Sequence, residues 1–500
     1  MLGVAVTRPD DDFFVLGGHS LLATRMLRAL RDATGAEPRL RDLLDRPTVG
    51  GLAALLPDAA ALLPDAPGPA RPPQPEAAPE RAPDGTFPMT RVQHAYWVGR
   101  TGGYALGRIP CHFYLEYDCP DLDLPRYEDA WRRVIARHPM LRAIVTPQGR
   151  LKVLDEVPPY RIRVTDLTGT DGTRRARSGS RGSASGCRAT RARRTAGRSC
   201  SSGRRGCPAD GRACSSAWTC WSATRAATGS STGRCGTSTS TRTRPCRSRG
   251  STSRRACGPR GTPGATRPPP TGGTGSPRCA APPPLPVAEI DGPPEFERRT
   301  AALGPDSWAA LRAESARRGL TPTSVLLTAY AETLARWSGA DRFALTLTLF
   351  DRPPIHPDVD RVVGDFTSLL LHEIDRRGAA TFTERARTVR ERLFTDLDHR
   401  AHPVLDTLAE TGGRAVPVVF TSALGLEDLV GGEPDLQWVG EQVHAVSRTP
   451  QTWLDHQVLV QRGELLLQWD AVRDLLPAAE VDAAFAAYAA RVGRLAEDPS

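Results

Sequence analysis

The sequence has no apolar run of 18 or more residues and no basic stretch followed by an apolar leader. A membrane-spanning helix and a secretory signal are therefore not expected, and a cytoplasmic location is. Most of the cysteines fall in one region, where Cys200, Cys207, Cys214 and Cys220 form no C-x-x-C pair, which speaks against a metal or disulfide framework. A second shortage is local. Between Gly172 and Pro284 there is no Leu, Ile, Val, Met, Phe or Tyr, and Trp218 and Trp221 are the only large apolar residues. The same window holds 23 arginines against one acidic residue, Asp210, and nine of the 11 cysteines. Ordering a backbone costs roughly 1–2 kcal/mol per residue, and such a segment has too little apolar surface to offset it. Residues 172–284 are expected to be irregular. Arginine richness without interleaved aromatics or a folded module is a poor nucleic-acid signature, so neither nucleic acid nor membrane is expected as a partner. The net charge of +10 is also misleading, because the window contributes +22 and the remainder of the chain carries −12.

The codons behind this window permit another reading. In "AWTCWSATRAA", Ala217 to Ala227, triplets that begin at the third base of each codon can spell L-D-L-L-V-G-D-A-G-S. That is an apolar strand with two carboxylates five apart. Gly273 to Pro277 permits Y-W-L-A in the same register. A frameshift opening near Gly169–Thr173 and closing near Cys279–Pro284 accounts for the composition.

What the sequence does contain is informative at both ends. "DDFFVLGGHSLLATRML", Asp11 to Leu27, places Gly17-Gly18 and His19 before Ser20. Leu21, Leu22, Met26, Leu27 and Leu30 then recur with helical spacing. Ser20 is thus expected at or beside a helix N-cap, where a hydroxyl suits unpaired N–H groups. About 15 consecutive positions here resemble the phosphopantetheine attachment motif of carrier domains in nonribosomal peptide synthetases. A helix N-terminus favours a phosphodiester. The resemblance implies that Ser20 bears 4'-phosphopantetheine, added by a phosphopantetheinyl transferase, whose thiol holds an acyl group as a thioester. "MLGVAV" resembles only the tail of a carrier's first helix, so a truncated all-α carrier domain is expected over residues 1–56, closed by Leu40 to Leu56. Residues 57–86 are Pro- and Ala-rich, as expected of a semi-extended linker.

From Phe87 onward the pattern changes. "FPMTRVQHAYWVGR", "CHFYLEYD" and "AWRRVIARHPMLRAIV" (Ala130 to Val145) read as a start segment, a strand and a helix. "LTPTSVLLTAYAETLARWSG" (Leu320 to Gly339) reads as a helix capped near Thr321–Thr323. Period-2 alternation from Phe343 to Phe350 and the run Pro417 to Gly425 read as strands. Arg448 to Asp470 carries a hairpin turned at Arg462-Gly463, and an amphipathic helix covers about Ala478 to Leu495. In this order the pieces resemble the heterocyclization domain, a variant of the condensation domain. The implied fold is a two-lobed α/β (α+β) condensation fold of the chloramphenicol-acetyltransferase type. The first lobe is expected at 87–285, with about 170–284 out of frame, and the second at 286–500. No H-H-x-x-x-D-G motif is present, and the D-x-x-x-x-D-x-x-S spacing of heterocyclization domains is permitted only in the alternative frame at codons 218–227.

The resemblance implies condensation of a carrier-bound acyl group with Cys, Ser or Thr, then cyclodehydration to a thiazoline or oxazoline. Thr421 of "FTS" and Asp455 of "WLD" are the positions the family assigns to ring closure. No metal is implied. Asp365 reads as a turn-fixing carboxylate, His138 as a packing residue, and His356 and His402 as loop residues before prolines. The implied partners are upstream and downstream carrier and adenylation domains. The alternative is a non-catalytic remnant that only carries a phosphopantetheine site or binds partner carriers.

Overall fold

The computed structural model describes residues 6, 8–56, 82–100, 106–166, 198–201, 213–218, 281–350, 352, 359–378, 381–400, 404, 415–425 and 440–497, without positions 15, 17, 19, 37, 120 and 121. At the N-terminal end three helices form, α1 (Ser20–Thr34), α2 (Leu40–Asp45) and α3 (Val49–Ala53). Ser20 opens α1, and Leu22 and Leu27 bury the apolar stripe that the spacing predicts. Thr48 caps α3 by accepting from the Gly51 N–H at 3.1 Å. The approach to α1 is tied to this cap by a bond from the Phe13 N–H to the Pro47 carbonyl at 2.8 Å.

After residue 81 come α4 (Arg91–Gly99), β1 (His112–Asp118) and α5 (Leu124–Arg137). Thr90 and Gln93 exchange bonds in a capping box at α4. The helix expected over 130–145 ends at Arg137, because Pro139 cannot continue it. A single 3-10 turn follows, and β2 (Ala143–Val145) then pairs with β3 (Leu151–Val153). β4 (Arg163–Asp166), β5 (Arg198–Ser201) and β6 (Ala213–Trp218) complete this half. The last two correct the expectation that 172–284 is wholly irregular. Strand ladders use backbone groups alone, so two short strands form without aliphatic side chains; residues 281–284 are irregular, and the rest of that window lies outside the described residues.

The remaining elements are β7 (Phe296–Leu303), α6 (Pro305–Arg317), α7 (Pro322–Ser338), β8 (Arg342–Phe350), β9 (Thr367–Asp375), α8 (Phe382–Asp398), β10 (Val418–Ser422), β11 (Glu441–Arg448), β12 (Leu454–Gln461), β13 (Glu464–Val472) and α9 (Ala478–Glu497). They build a six-stranded sheet of order β7-β13-β12-β10-β8-β9. The other sheet has the order β11-β1-β6-β5-β4. Residues 441–448, expected with the second lobe, therefore pair with β1 instead, from His112 opposite Arg448 to Asp118 opposite Glu441. This covers a β1 edge that would otherwise present unpaired backbone groups.

The main core lies against one face of the six-stranded sheet. Every residue of α7 from Ser324 to Ala335 is buried, as expected of a helix with few charges on any side. Thr321 caps it, accepting from Ser324 N–H at 3.2 Å. Its single buried carboxylate, Glu332, is held by Arg385 at 2.6 Å and Arg491 at 2.5 Å. The hairpin turn falls at Arg462 and Gly463, with φ of 53° and 76°, the left-handed pair that suits the twist of the flanking strands. Among the described residues no helix is long and apolar enough to cross a membrane.

Candidate functional site

Alternation along the central strands sends successive side chains to opposite faces of the six-stranded sheet. On the helical side Phe420, His456 and Trp469 pack around Tyr330 and Tyr488, with ring centroids 4.7–6.0 Å apart. The other side is polar where it crosses the middle strands. Asp455 on β12 stands opposite Asp470 on β13, and Asp470 opposite Arg298 on β7. One step along, Thr421 on β10 stands opposite Gln457, and Gln457 opposite Gln468. Thr421 and Asp455 therefore share a face on adjacent strands, offset by two residues, roughly 8 Å apart by strand spacing and rise.

Asp455 is 6 % exposed and Asp470 fully buried. Asp455 Oδ2 accepts from Gln457 Nε2 at 2.8 Å, and Oδ1 is buried with no hydrogen-bond partner. Loss of hydration and the neighbouring charge of Asp470 push the Asp455 carboxyl up to about 6, against the smaller opposing effects of the Gln457 bond, the Arg298 charge and the nearby Ser447 hydroxyl. Asp470 is paired instead: Arg298 Nε donates to its Oδ1 at 2.8 Å, Arg298 Nη2 to its Oδ2, and the Ser447 N–H to Oδ2 at 2.9 Å. Ser447 belongs to β11, so this contact joins the two sheets at the site. The Phe113 ring of β1 lies 5.7 Å from the Arg298 guanidinium. Phe113 also pairs with Trp218, the last residue of β6. The strand end at which the alternative-frame motif would begin thus pairs with the residue whose ring lies by Arg298, while positions 219–227 lie outside the described residues.

The other residues singled out by sequence do not join this cluster. Asp365 Oδ1 accepts from the Thr367 N–H at 3.0 Å, as a turn-fixing carboxylate does. His138 closes α5 in an extended conformation. His356 and His402 lie outside the described residues. Sequence reasoning missed Arg298, Gln457, Gln468 and Asp470. Polar residues spaced by two in the apolar run "ELLLQWDAV" were the available signal, since buried polar side chains are the informative exceptions. Arg298 had no such signal, because its partner strand lies some 170 residues away.

At the other end, Ser20 stands at the N-terminus of a 15-residue helix, whose first N–H groups have no intrahelical partner. A Cβ on Gly18 would meet the Phe13 ring at 2.3 Å and the Phe13 carbonyl at 2.5 Å. Only glycine lets the chain turn this tightly into the helix. The arrangement fits a phosphate ester. The N-terminal part packs on α8 through the segment before α1 and through α2, with Phe14 against Phe394 at 6.1 Å and a bond from the Leu40 N–H to Asp398 at 3.0 Å. It lies on the helical side of the sheet, whereas Asp455 faces away from that side.

Comparison with known proteins agrees with these two parts. Residues 1–56 match the family model for the phosphopantetheine attachment site, and residues 291–414 match that for the condensation domain. The first of these families carries covalently attached 4'-phosphopantetheine. The chain is 32% identical over 446 residues to pyochelin synthetase PchF of Pseudomonas aeruginosa, covering 83% of this chain and 23% of that protein. It is 32% identical over 509 residues to phenyloxazoline synthase MbtB of Mycobacterium sp. (strain MCS), covering 98% of this chain and 42% of that protein. The chain thus spans less than half the length of these relatives. Among solved structures, the EpoB cyclization-docking bidomain from Sorangium cellulosum is 28% identical with a TM-score of 0.60, over 83% of this chain and 86% of that one. The nonribosomal peptide synthetase FmoA3 is 25% identical with a TM-score of 0.58, over 83% of this chain and 42% of that one. The chain thus carries a phosphopantetheine attachment domain followed by a condensation domain, and the relatives and structural neighbours it resembles are nonribosomal peptide synthetases.

Proposed function

We propose that the chain is part of a synthetase module that joins an acyl group to the amine of Cys, Ser or Thr and then closes the new amide to a thiazoline or oxazoline. The observation that carries this reading is the free, buried Oδ1 of Asp455 on a carboxyl raised to about 6. Such a group exchanges a proton near neutral pH. In ring closure the side-chain thiol or hydroxyl adds to the amide carbonyl, and the carbonyl oxygen becomes a hydroxyl. Water then leaves as the C=N bond forms and the amide proton is lost. Asp455 serves as acceptor for the attacking group's proton and as donor to the departing oxygen. Thr421, on the same face, offers a hydroxyl to that oxygen. The names of the relatives, a phenyloxazoline synthase and a cyclization bidomain, support the same chemistry.

Ser20 is the proposed attachment position for phosphopantetheine, and a phosphopantetheinyl transferase the enzyme that modifies it. The group supplies a terminal thiol to which acyl groups are esterified. Carrier and condensation domains act with other synthetase domains, and the proposed partners are the neighbouring carrier and adenylation domains. A second reading is favoured by the composition of 172–284. In it, this chain is a remnant that carries the modified serine or binds partner carriers without catalysis.

Resequencing codons 165–290 and assaying products by mass spectrometry separates the two. A frame-restored chain is expected to yield linear amide and ring, and the present chain neither. With Asp455→Asn in the restored chain, the amide should persist while ring closure falls roughly 10²- to 10⁴-fold. A restored parent that stops at the linear amide would overturn the heterocyclization reading.

A further inference from the structure

Asp455 is oriented from a distance. Gln457 Nε2 donates to Asp455 Oδ2 at 2.8 Å, and Gln457 Oε1 accepts from Arg298 Nη2 at 3.2 Å. A guanidinium only donates, so Arg298 decides which end of the carboxamide is its oxygen and turns the NH₂ group toward Asp455. One carboxylate oxygen is thereby occupied and the other left open. Arg298 also donates from Nη1 to Gln468 Oε1 at 2.8 Å and from Nε and Nη2 to Asp470. Its side chain is 6 % exposed and that of Asp470 0 %.

We propose that Arg298 and Asp470 are positioning residues for Asp455. The guanidinium sets the Gln457 carboxamide that holds one carboxylate oxygen, and Asp470 neutralises the guanidinium so that Asp455 is not drawn into an ion pair. The proposal rests on the reading of Asp455 as the group that transfers protons. Without Asp470, an uncompensated arginine would stand one carboxamide away and hold Asp455 ionised. Without Arg298, two buried carboxylates would face each other across paired strands. The other groups around Asp455 do not replace either partner. β10 presents the uncharged Val419 and Thr421. Across the sheet, on its helical side, the Tyr330 phenol of α7 is kept protonated far above its usual range by burial and the Asp455 charge. From β11, Arg448 acts on Asp470, and loss of hydration weakens its own hold on a proton.

The test follows the carbonyl stretch of protonated Asp455 against pH by infrared spectroscopy on the full chain, taken as the difference from Asp455→Asn. Asp470→Asn should move the titration midpoint down and Arg298→Gln should move it up, each by about 1–3 units. A residue that merely supports the fold would not give shifts of opposite sign. Unmoved midpoints, or two shifts in the same direction, would overturn the proposal. Should a buried variant fail to fold, Gln457→Met at a partly exposed position carries the test. It keeps every charge, removes the bond that favours the carboxylate, and should raise the midpoint; an unchanged midpoint would equally overturn the proposal. The two readings fail separately. In the frame-restored chain, ring closure that survives Asp455→Asn removes the proton-transfer reading, whereas ring closure lost in that variant with unmoved midpoints removes only the positioning roles.

Discussion

Asp455 binds its proton more tightly in the folded chain than out of it. Its folded value of about 6 exceeds the ordinary 3.8, so between these pH values the native state holds more protons than the unfolded state. Stability must then fall as pH rises through that window. The loss approaches about 2–3 kcal/mol above pH 6, at about 1.4 kcal/mol per unit for a buried group. Asp455→Asn removes the ionisation, so its denaturation midpoint should rise above that of the parent at pH 7.5 and match it near pH 4. Equal stabilities at both pH values would mean that Asp455 ionises without strain. A residue that destabilises its own fold at working pH is what a site selected for chemistry rather than stability contains.

Among the elements, β12 shows how one strand serves two purposes. Asp455 and Gln457 point to the polar face, while His456 between them is fully buried among Tyr330, Trp469 and Tyr488. His456 Nδ1 lies 3.1 Å from the Gln468 carbonyl and Nε2 lies 2.8 Å from the Tyr488 hydroxyl. The carbonyl can only accept, so Nδ1 carries the proton and Nε2 accepts from Tyr488. Burial holds the imidazole neutral, with a value lowered to about 3. Its stabilising contribution is present above pH 6.5 and is lost as pH falls through 6.5 toward 3, opposite in sign to Asp455. Tyr488→Phe leaves Nε2 without a donor and should cost about 1–3 kcal/mol in urea unfolding at pH 7.5. An unchanged midpoint would show that the bond contributes nothing net. This packing fixes the register of β12, and a slip of one residue would put Asp455 in the core.

At the scale of the whole molecule, the N-terminal part rests on α8 while the polar face of the sheet lies on its other side. The serine of α1 and the carboxylate of β12 thus belong to different surfaces. Mass spectrometry after incubation with a phosphopantetheinyl transferase and coenzyme A should show one added arm. Ser20→Ala should abolish the gain, and labelling of that variant would move the attachment elsewhere. β11 has a larger consequence. It comes from the same half of the sequence as Asp455 yet pairs with β1, and its Ser447 N–H reaches Asp470. The site is therefore closed by a strand that the linear domain order assigns to the wrong sheet.

Local chemistry determined much of this protein before any folding was considered. The helix opening at Ser20, the cap at Thr321, the turn at Arg462-Gly463 and the strand holding Thr421 each depend on a few adjacent residues. Such features are legible because their hydrogen bonds and dihedral angles are set within one or two turns of chain. Composition alone marked 172–284 as unable to supply a core. What only the tertiary structure decided is who stands opposite whom. Arg298 meets Asp470 across 172 positions, and Gln457 lies between Asp455 and that pair through registers set by three strands. Period-2 alternation tells which residues share a face of one strand. It does not tell which strand lies alongside, because pairing is fixed by burying Trp469, His456 and Phe420 against the same helix.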